Sequence, residues 1–172
     1  MSDVLVRPVK EEDIEAIIAI DARVTGSGGP DRSGFWRGIL SLQVFSHSGE
    51  GDLQEAAPAS PYPLCYVAEM KVAGKGEMAG FIVGDVQSWQ FGLPRHGRIV
   101  AIGVHPERRR SGVATALTAE LLKVFDRLGL PFVHCLVRPG DPLSGFFETL
   151  GFRPPGFSIL ERSLGVDPPG SC

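Results

Sequence analysis

The stretch Val104–Leu117, VHPERRRSGVATAL, constrains the fold more than any other part of the chain. It joins an apolar run, Ile99–Val104, to a segment in which Val113, Leu117, Leu121, Val124, Phe125 and Leu128 recur at helical spacing. A strand must therefore pass through a short basic loop into an amphipathic helix. The loop carries Arg109, Gly112 and Ala114 as R-x-x-G-x-A. First-turn amides of a helix lack intrahelical acceptors, and the positive end of the helix dipole lies there. Gly112 lets backbone approach closely, Ala114 keeps the first turn slim, and Arg109 and Arg110 can grip a phosphate at two points. The pattern predicts an anion cradle. The plainer alternative is a basic loop capping a core helix. The sequence contains no G-x-x-x-x-G-K-[ST] run and no G-x-G-x-x-G, so neither a P-loop nor a dinucleotide fingerprint is supported.

Around this centre the chain reads as alternating strands and helices. Val4–Val9 is a short apolar strand ending near Pro8. Glu11, Glu12 and Asp13 load acid into a first turn, and Ile14, Ile17 and Ile18 continue a helix to about Val24. Thr25–Gly34 is a loop, and Phe35, Trp36, Ile39 and Leu40 have the spacing of a second helix. Ser46–Pro63 is irregular and rich in Gly and Pro. Tyr66–Val72 and Gly80–Val86 are strands joined by the turn-forming Ala73-Gly74-Lys75-Gly76. Gln87–His96 is a loop, Phe132–Val137 a strand, and Pro142–Leu150 a short helix. Ser158–Leu164 is expected as a last edge strand. Residues 1–164 are expected as one domain and 165–172 as a frayed tail. The resulting class is α/β (α+β): a mixed, mostly antiparallel sheet flanked by helices, with one β-α-β crossover, Ile99–Val137, that makes its two strands parallel neighbours.

Several function classes are disfavoured. A formal net charge of −3 is unlike a surface built for nucleic acid. No apolar run approaches the roughly 18 residues of a membrane span, and MSDVLVRP is not a signal pattern, so a cytoplasmic protein is expected. Cys65, Cys135 and Cys172 have no paired spacing; the first two read as small buried hydrophobes. The histidines lack ligand spacing, so no metal is predicted.

VHPERRRSGVATALTAELL resembles the acyl-CoA motif of the GNAT N-acetyltransferase superfamily. VRPVKEEDIEAIIAID (Val6–Asp21), AGFIVGDV (Ala79–Val86) and FFETLGFRP (Phe146–Pro154) are similar to that family's first strand and helix, its third strand and its late helix and turn, in the same order. The resemblance implies transfer of an acetyl group from acetyl-CoA to a primary amine of a small molecule, peptide or protein. It implies that backbone along Ile102, Gly103 and Val104 carries the acyl group and upper pantetheine. Arg109, Arg110, Ser111, Gly112, Val113, Ala114 and Thr115 would cradle the pyrophosphate. It also implies that the two crossover strands splay apart to admit the pantetheine arm, and that an exposed edge strand can pair with a second copy as a homodimer. Acetyl-CoA and an amine acceptor are thus the expected partners, with no nucleic acid and no membrane.

Two departures concern the proton transfers. The family often has a Tyr where this chain has Phe147, which has no proton to give a leaving thiolate. Some members carry a Glu just before a V-R pair; here Leu136 precedes Val137-Arg138. His134, two residues earlier, shares that sheet face and is the candidate base; its other reading is a histidine packed within the sheet. Asp85 and Glu69 read as solvated-face carboxylates, the other reading being that either attracts a cationic amine or accepts its proton through water; His105 reads as loop surface and His96 as a loop residue. An acetyl-CoA-binding module with weak or lost turnover is the alternative function.

Overall fold

The longest strand, Lys75–Gln87, organises the rest. Its middle, residues 79–84, is buried without alternation, the signature of a strand covered on both faces. The computed structural model describes residues 4–26, 31–47, 64–72, 74–88, 92–138, 140–156, 158–160 and 162. The chain divides into two compact units, Met1–Cys135 and Leu136–Cys172. In the first, the element order is β1 (Val4–Pro8), a 3-10 turn at Glu11–Asp13, α1 (Ile14–Thr25), α2 (Ser33–His47), β2 (Leu64–Val72), β3 (Lys75–Gln87), β4 (His96–Val104), a 3-10 turn at Pro106–Arg108, α3 (Val113–Arg127) and β5 (Val133–Cys135). The second holds α4 (Pro142–Thr149).

The sheet has the order β1-β2-β3-β4-β5; all pairs are antiparallel except β4 with β5. Val72 pairs with Lys75, so the β2–β3 loop is two residues long, and Gly74 at φ +82° supplies the positive φ that tight hairpins need. On one face, Ile17, Ile20, Trp36 and Leu40 pack against Cys65, Val67, Phe81 and Val83. Trp36 meets the Phe81 ring edge-on, with centroids 5.1 Å apart. Its indole N–H donates to Asp21 at 2.7 Å, which also accepts from Arg32 and so joins α1 to α2. β1 is held by Arg7, whose guanidinium bonds Asp13 and Glu69. Burial alone would raise the Asp13 carboxyl, but bonds from Arg7 and the Lys10 amide outweigh it and hold the group below the usual carboxylate range.

The opposite face belongs to α3, which buries Val113, Leu117, Thr118, Leu121, Val124 and Phe125. Glycines set how closely it approaches. A β-carbon on Gly84 would lie 2.8 Å from Leu121 Cδ2, and one on Gly97 would lie 2.9 Å from the Phe125 ring. Burying that aromatic side chain is worth on the order of 2–3 kcal/mol. Only a bare backbone beneath it gives the ring its place.

Several boundaries differ from the sequence expectation. β4 begins at His96 rather than Ile99, because His96 and Gly97 continue the ladder opposite Gln87 and Val86. β5 is three residues, Val133–Cys135, and not Phe132–Val137. The reason lies in β4. Val83 pairs with Ala101 but Gly84 with Ile99, leaving Val100 as an extra residue. Such a bulge bends its strand, and it falls just after Ile99↔Cys135, the last β4–β5 pair. Residues 158–160 and 162 lie in no strand; Ile159 and Leu160 are exposed. The rest of that expected strand, most of the Ser46–Pro63 loop and the 165–172 tail lie outside the described residues. Cys65 is buried as expected, and burial pushes its thiol up; Cys135 is only half-buried.

In the second unit, Asp141 caps α4 by accepting from the Leu143 amide at 2.9 Å, with Pro142 in the first turn. Phe147 packs between Phe146 and Phe152, each ring centroid 5.1 Å from its own.

Candidate functional site

The loop between β4 and α3 is built to leave amides open. Gly112 is the N-cap of α3 with φ +83° and ψ 0°, and Arg110 is the single described non-glycine residue at positive φ, +61°. Alternation of left-handed and ordinary backbone turns successive N–H groups toward one concavity. The α3 ladder starts with Ala116 donating to the Gly112 carbonyl at 2.9 Å. The amides of Val113, Ala114 and Thr115 precede that ladder, no side chain caps the helix, and no acid stands in its first turn. A β-carbon on Gly112 would meet nothing within 4 Å, so the concavity is open.

Side chains hold the loop without filling it. Ser111 Oγ donates to the Arg108 carbonyl at 2.5 Å and lies 3.6 Å from Met70 Sδ. Arg108 pairs with Glu77 at 3.5 Å, and Arg23 of α1 bonds the ring of His105 at the loop entry. Val113 is buried beneath the helix. Arg109 and Arg110 are exposed and form no ion pair among the described residues. Two cations therefore flank the open amides.

Upstream, β4 presents its backbone. Ala101 to Val104 pair with β3 on one side, while β5 reaches no further than Ile99. The other edge of Ile102, Gly103 and Val104 has no strand partner among the described residues, so its main-chain groups can pair with an extended ligand. Gly103 is required on packing grounds: a β-carbon there would sit 2.5 Å from the Phe81 ring. Gly80 opposite would strike the Gly103 carbonyl at 2.6 Å. Gly103, expected from the sequence as part of the acyl platform, is thus bare because the Phe81 ring fills the space beside it, and Gly80 because the Gly103 carbonyl and Val113 do.

At the other end of β4 the side chains take over. Arg98 donates to Asp85 at 3.0 Å through Nε and 2.5 Å through Nη2, and Gln87 donates to the same carboxylate at 2.9 Å. Asp85 and Glu69 are therefore ion-paired and not merely solvated; Glu69 bonds Arg7 at 2.7 Å. His134 on β5 is in register with Arg98. Its pKa is lowered, first by burial and then by His96 and Arg98, with Asp85 acting the other way. His96, expected in a loop, is fully buried on β4. The signal that could have found it is the H-G-R-I-V alternation, which places His96 and Arg98 on one sheet face and Gly97 on the other.

This arrangement has counterparts. The family model of the Acetyltransferase (GNAT) family matches residues 36–152. An acetyltransferase of Pectobacterium atrosepticum is 36% identical over 92 residues, 53% of this chain and 64% of that protein. The chain thus spans somewhat under two thirds of that curated relative. Among solved structures, the aminoglycoside N-acetyltransferase AAC(6')-Iy in complex with CoA superposes with a TM-score of 0.65 at 18% identity, covering 95% of this chain and 97% of that one. The aminoglycoside 6'-N-acetyltransferase AAC(6')-IG of Acinetobacter haemolyticus gives 0.65 at 16% identity, covering 95% and 99%. Those two show the fold, and the family match covers well over half of the sequence. The chain belongs to the acetyltransferase (GNAT) family.

Proposed function

We propose that this protein is an N-acetyltransferase that moves an acetyl group from acetyl-CoA to a primary amine by direct attack in a ternary complex. The observation that carries the reading is the open first turn of α3, with Gly112 as N-cap and Arg109 and Arg110 beside it, continuous with an unpaired β4 edge. Anionic diphosphate suits the first, and the amides of a pantetheine arm suit the second. The residues present fit that group, since the concavity is clear and lacks acid. The CoA held by AAC(6')-Iy supports the same ligand class here.

Bound acetyl-CoA supplies an activated acyl carbon and a thiolate leaving group. The protein's part is placement, which alone can contribute up to ~7–11 kcal/mol by removing translational and rotational freedom. The amides of Val113–Thr115 and the two arginines fix one end of the ligand, and Ile102, Gly103 and Val104 fix the arm. His134 is the proton acceptor for the amine: it pairs in register with Arg98, next to the last β4–β5 pair, and burial favours its neutral form. Phe147 has no proton to donate, so water protonates the thiolate.

The test is thiol release from acetyl-CoA across a panel of primary amines. Turnover with any of them supports the reading. Binding of acetyl-CoA with no thiol release across the panel favours a binding module, which the Phe147 packing between Phe146 and Phe152 would suit. No rise in melting temperature with acetyl-CoA or desulfo-CoA would refute both. His134→Ala is expected to lose rate mainly above the histidine's pKa, and superimposable pH–rate profiles would dismiss its role.

A further inference from the structure

His96 is a fully buried imidazole that the reaction outlined above does not use. Its Nδ1 donates to the Pro94 carbonyl at 2.7 Å, which fixes the orientation of the ring and leaves the neutral lone pair on Nε2. Nε2 is buried with no hydrogen-bond partner among the described residues. The ring stacks on Phe132 at 4.8 Å and 14°, and its centroid is 4.6 Å from that of His134, tilted by 42°. Phe132 immediately precedes β5 and His134 is its middle residue, and the Phe132 carbonyl accepts from the Gly97 amide at 3.0 Å, beside His96. His96 is thus wedged where β5 is zipped to β4.

A buried polar ring with an unanswered nitrogen is unfavourable, which asks for a compensating role. The His134 ring is partly exposed and rests against the fully buried His96 ring, so a proton on His134 is poorly solvated on that side. We propose that His96 is a positioning residue that holds the His134 ring in place and in its neutral form at the β4–β5 junction. The catalytic meaning of this rests on the reading of His134 as the proton acceptor. Among the described residues, the titratable and charged groups facing His134 include His96 and Arg98 on β4 and Asp85 on β3. Burial lowers its pKa most, His96 and Arg98 lower it further, and Asp85 raises it. Because Asp85 is already bonded by Arg98 and Gln87, it is a weak counterweight. Removing His96 takes away one of the groups that lower it and opens one side of His134 to water. Both changes raise its pKa.

The experiment is NMR titration of the imidazole signals in the full-length protein and in His96→Asn, with His134 assigned by its loss in His134→Ala. Asn keeps a donor for the Pro94 carbonyl. His134 is expected to titrate at higher pH in His96→Asn than in the parent. The acid limb of kcat/KM should move the same way, with activity at pH 6 down about twofold or more relative to parent and the ratio returning to one at high pH. Affinity for acetyl-CoA should stay within about twofold, since the cradle lies at the far end of β4. An unchanged His134 titration in the variant overturns the proposal. A moved titration with an unmoved rate limb keeps the His96 inference and sinks His134 as the base. Should His96→Asn fail to fold, the parent alone decides: His134 titrating at or above the ordinary histidine value of about 6.5 overturns the idea, and titration below it with a ring-to-ring nuclear Overhauser contact to His96 supports it.

Discussion

At its Val104 end β4 runs into a loop whose working groups are main-chain amides; at its His96 end the same strand is fixed by side chains that pair across the sheet. The first end is open, glycine-rich and flanked by two exposed arginines with no ion pair among the described residues. The second is closed, with His96 buried and Asp85, Arg98 and His134 in a row over three strands. A bulge at Val100 separates them. The difference teaches that one strand can serve two purposes when a kink divides it. Substitutions near Gly112 should act on ligand binding, and those near Gly97 on stability and protonation.

The largest expected effect tests the open end. Gly112→Asp places negative charge and bulk where a diphosphate would bind, and should weaken acetyl-CoA about a hundredfold by calorimetry, equivalent to about 2.7 kcal/mol. Its added β-carbon meets no neighbour, but φ +83° is strained for a residue with a side chain, so stability should fall as well, by about 1 kcal/mol, less than the loss in binding. Unchanged affinity would erase the contrast. Next, Gly97→Ala drives a methyl into the Phe125 ring and should cost about 2 kcal/mol in denaturant unfolding, with acetyl-CoA affinity nearly preserved in the folded fraction. A stability loss under 0.5 kcal/mol, on the scale of ordinary surface changes, would show that the helix shifts freely.

Arg110→Gly should split the two properties. It relieves a left-handed backbone strained by about 1 kcal/mol and raises stability by part of that, while loss of one cation weakens acetyl-CoA by about two- to fivefold. Movement of both in the same direction would mean that Arg110 is held by something other than the cradle. The smallest effect belongs to the closed end. His134 has a folded-state pKa below its unfolded value, so between the two the unfolded chain binds more protons. Its contribution is therefore complete above the unfolded value near 6.5 and is lost as pH falls toward the folded value. His134→Gln should flatten that part of the stability–pH curve, and identical slopes for the two proteins would contradict it.

The open end was legible in the sequence because its chemistry is local. R-x-x-G-x-A between an apolar strand and a 3.6-period helix names its own backbone geometry, and Gly112 is found at positive φ as that pattern demands. The central strand and the α3 face were equally plain. The closed end was not, because it depends on register. The H-G-R-I-V alternation hints at a strand but names no partners, and only the pairing of His96 with Gln87 and of Arg98 with both Asp85 and His134 brings those groups together. The short β5 was missed for a similar reason: Leu136 and Val137 look like strand residues, but a bulge on β4 ends the pairing two residues sooner. Asp85 and Glu69 were taken for solvated carboxylates because their arginine partners lie on other strands, 13 and 62 residues away.

The bare backbone at Gly84 and Gly97 beneath Leu121 and Phe125 has a consequence for how such sequences can drift. Volume at that seam is shared, so a methyl gained in the sheet must be given up by the aromatic side chain above it. Phe125→Leu with Gly97→Ala should therefore be better tolerated together than the sum of the two separate changes. The four positions would then vary as a set, and the height of the helix over the sheet would be inherited with them.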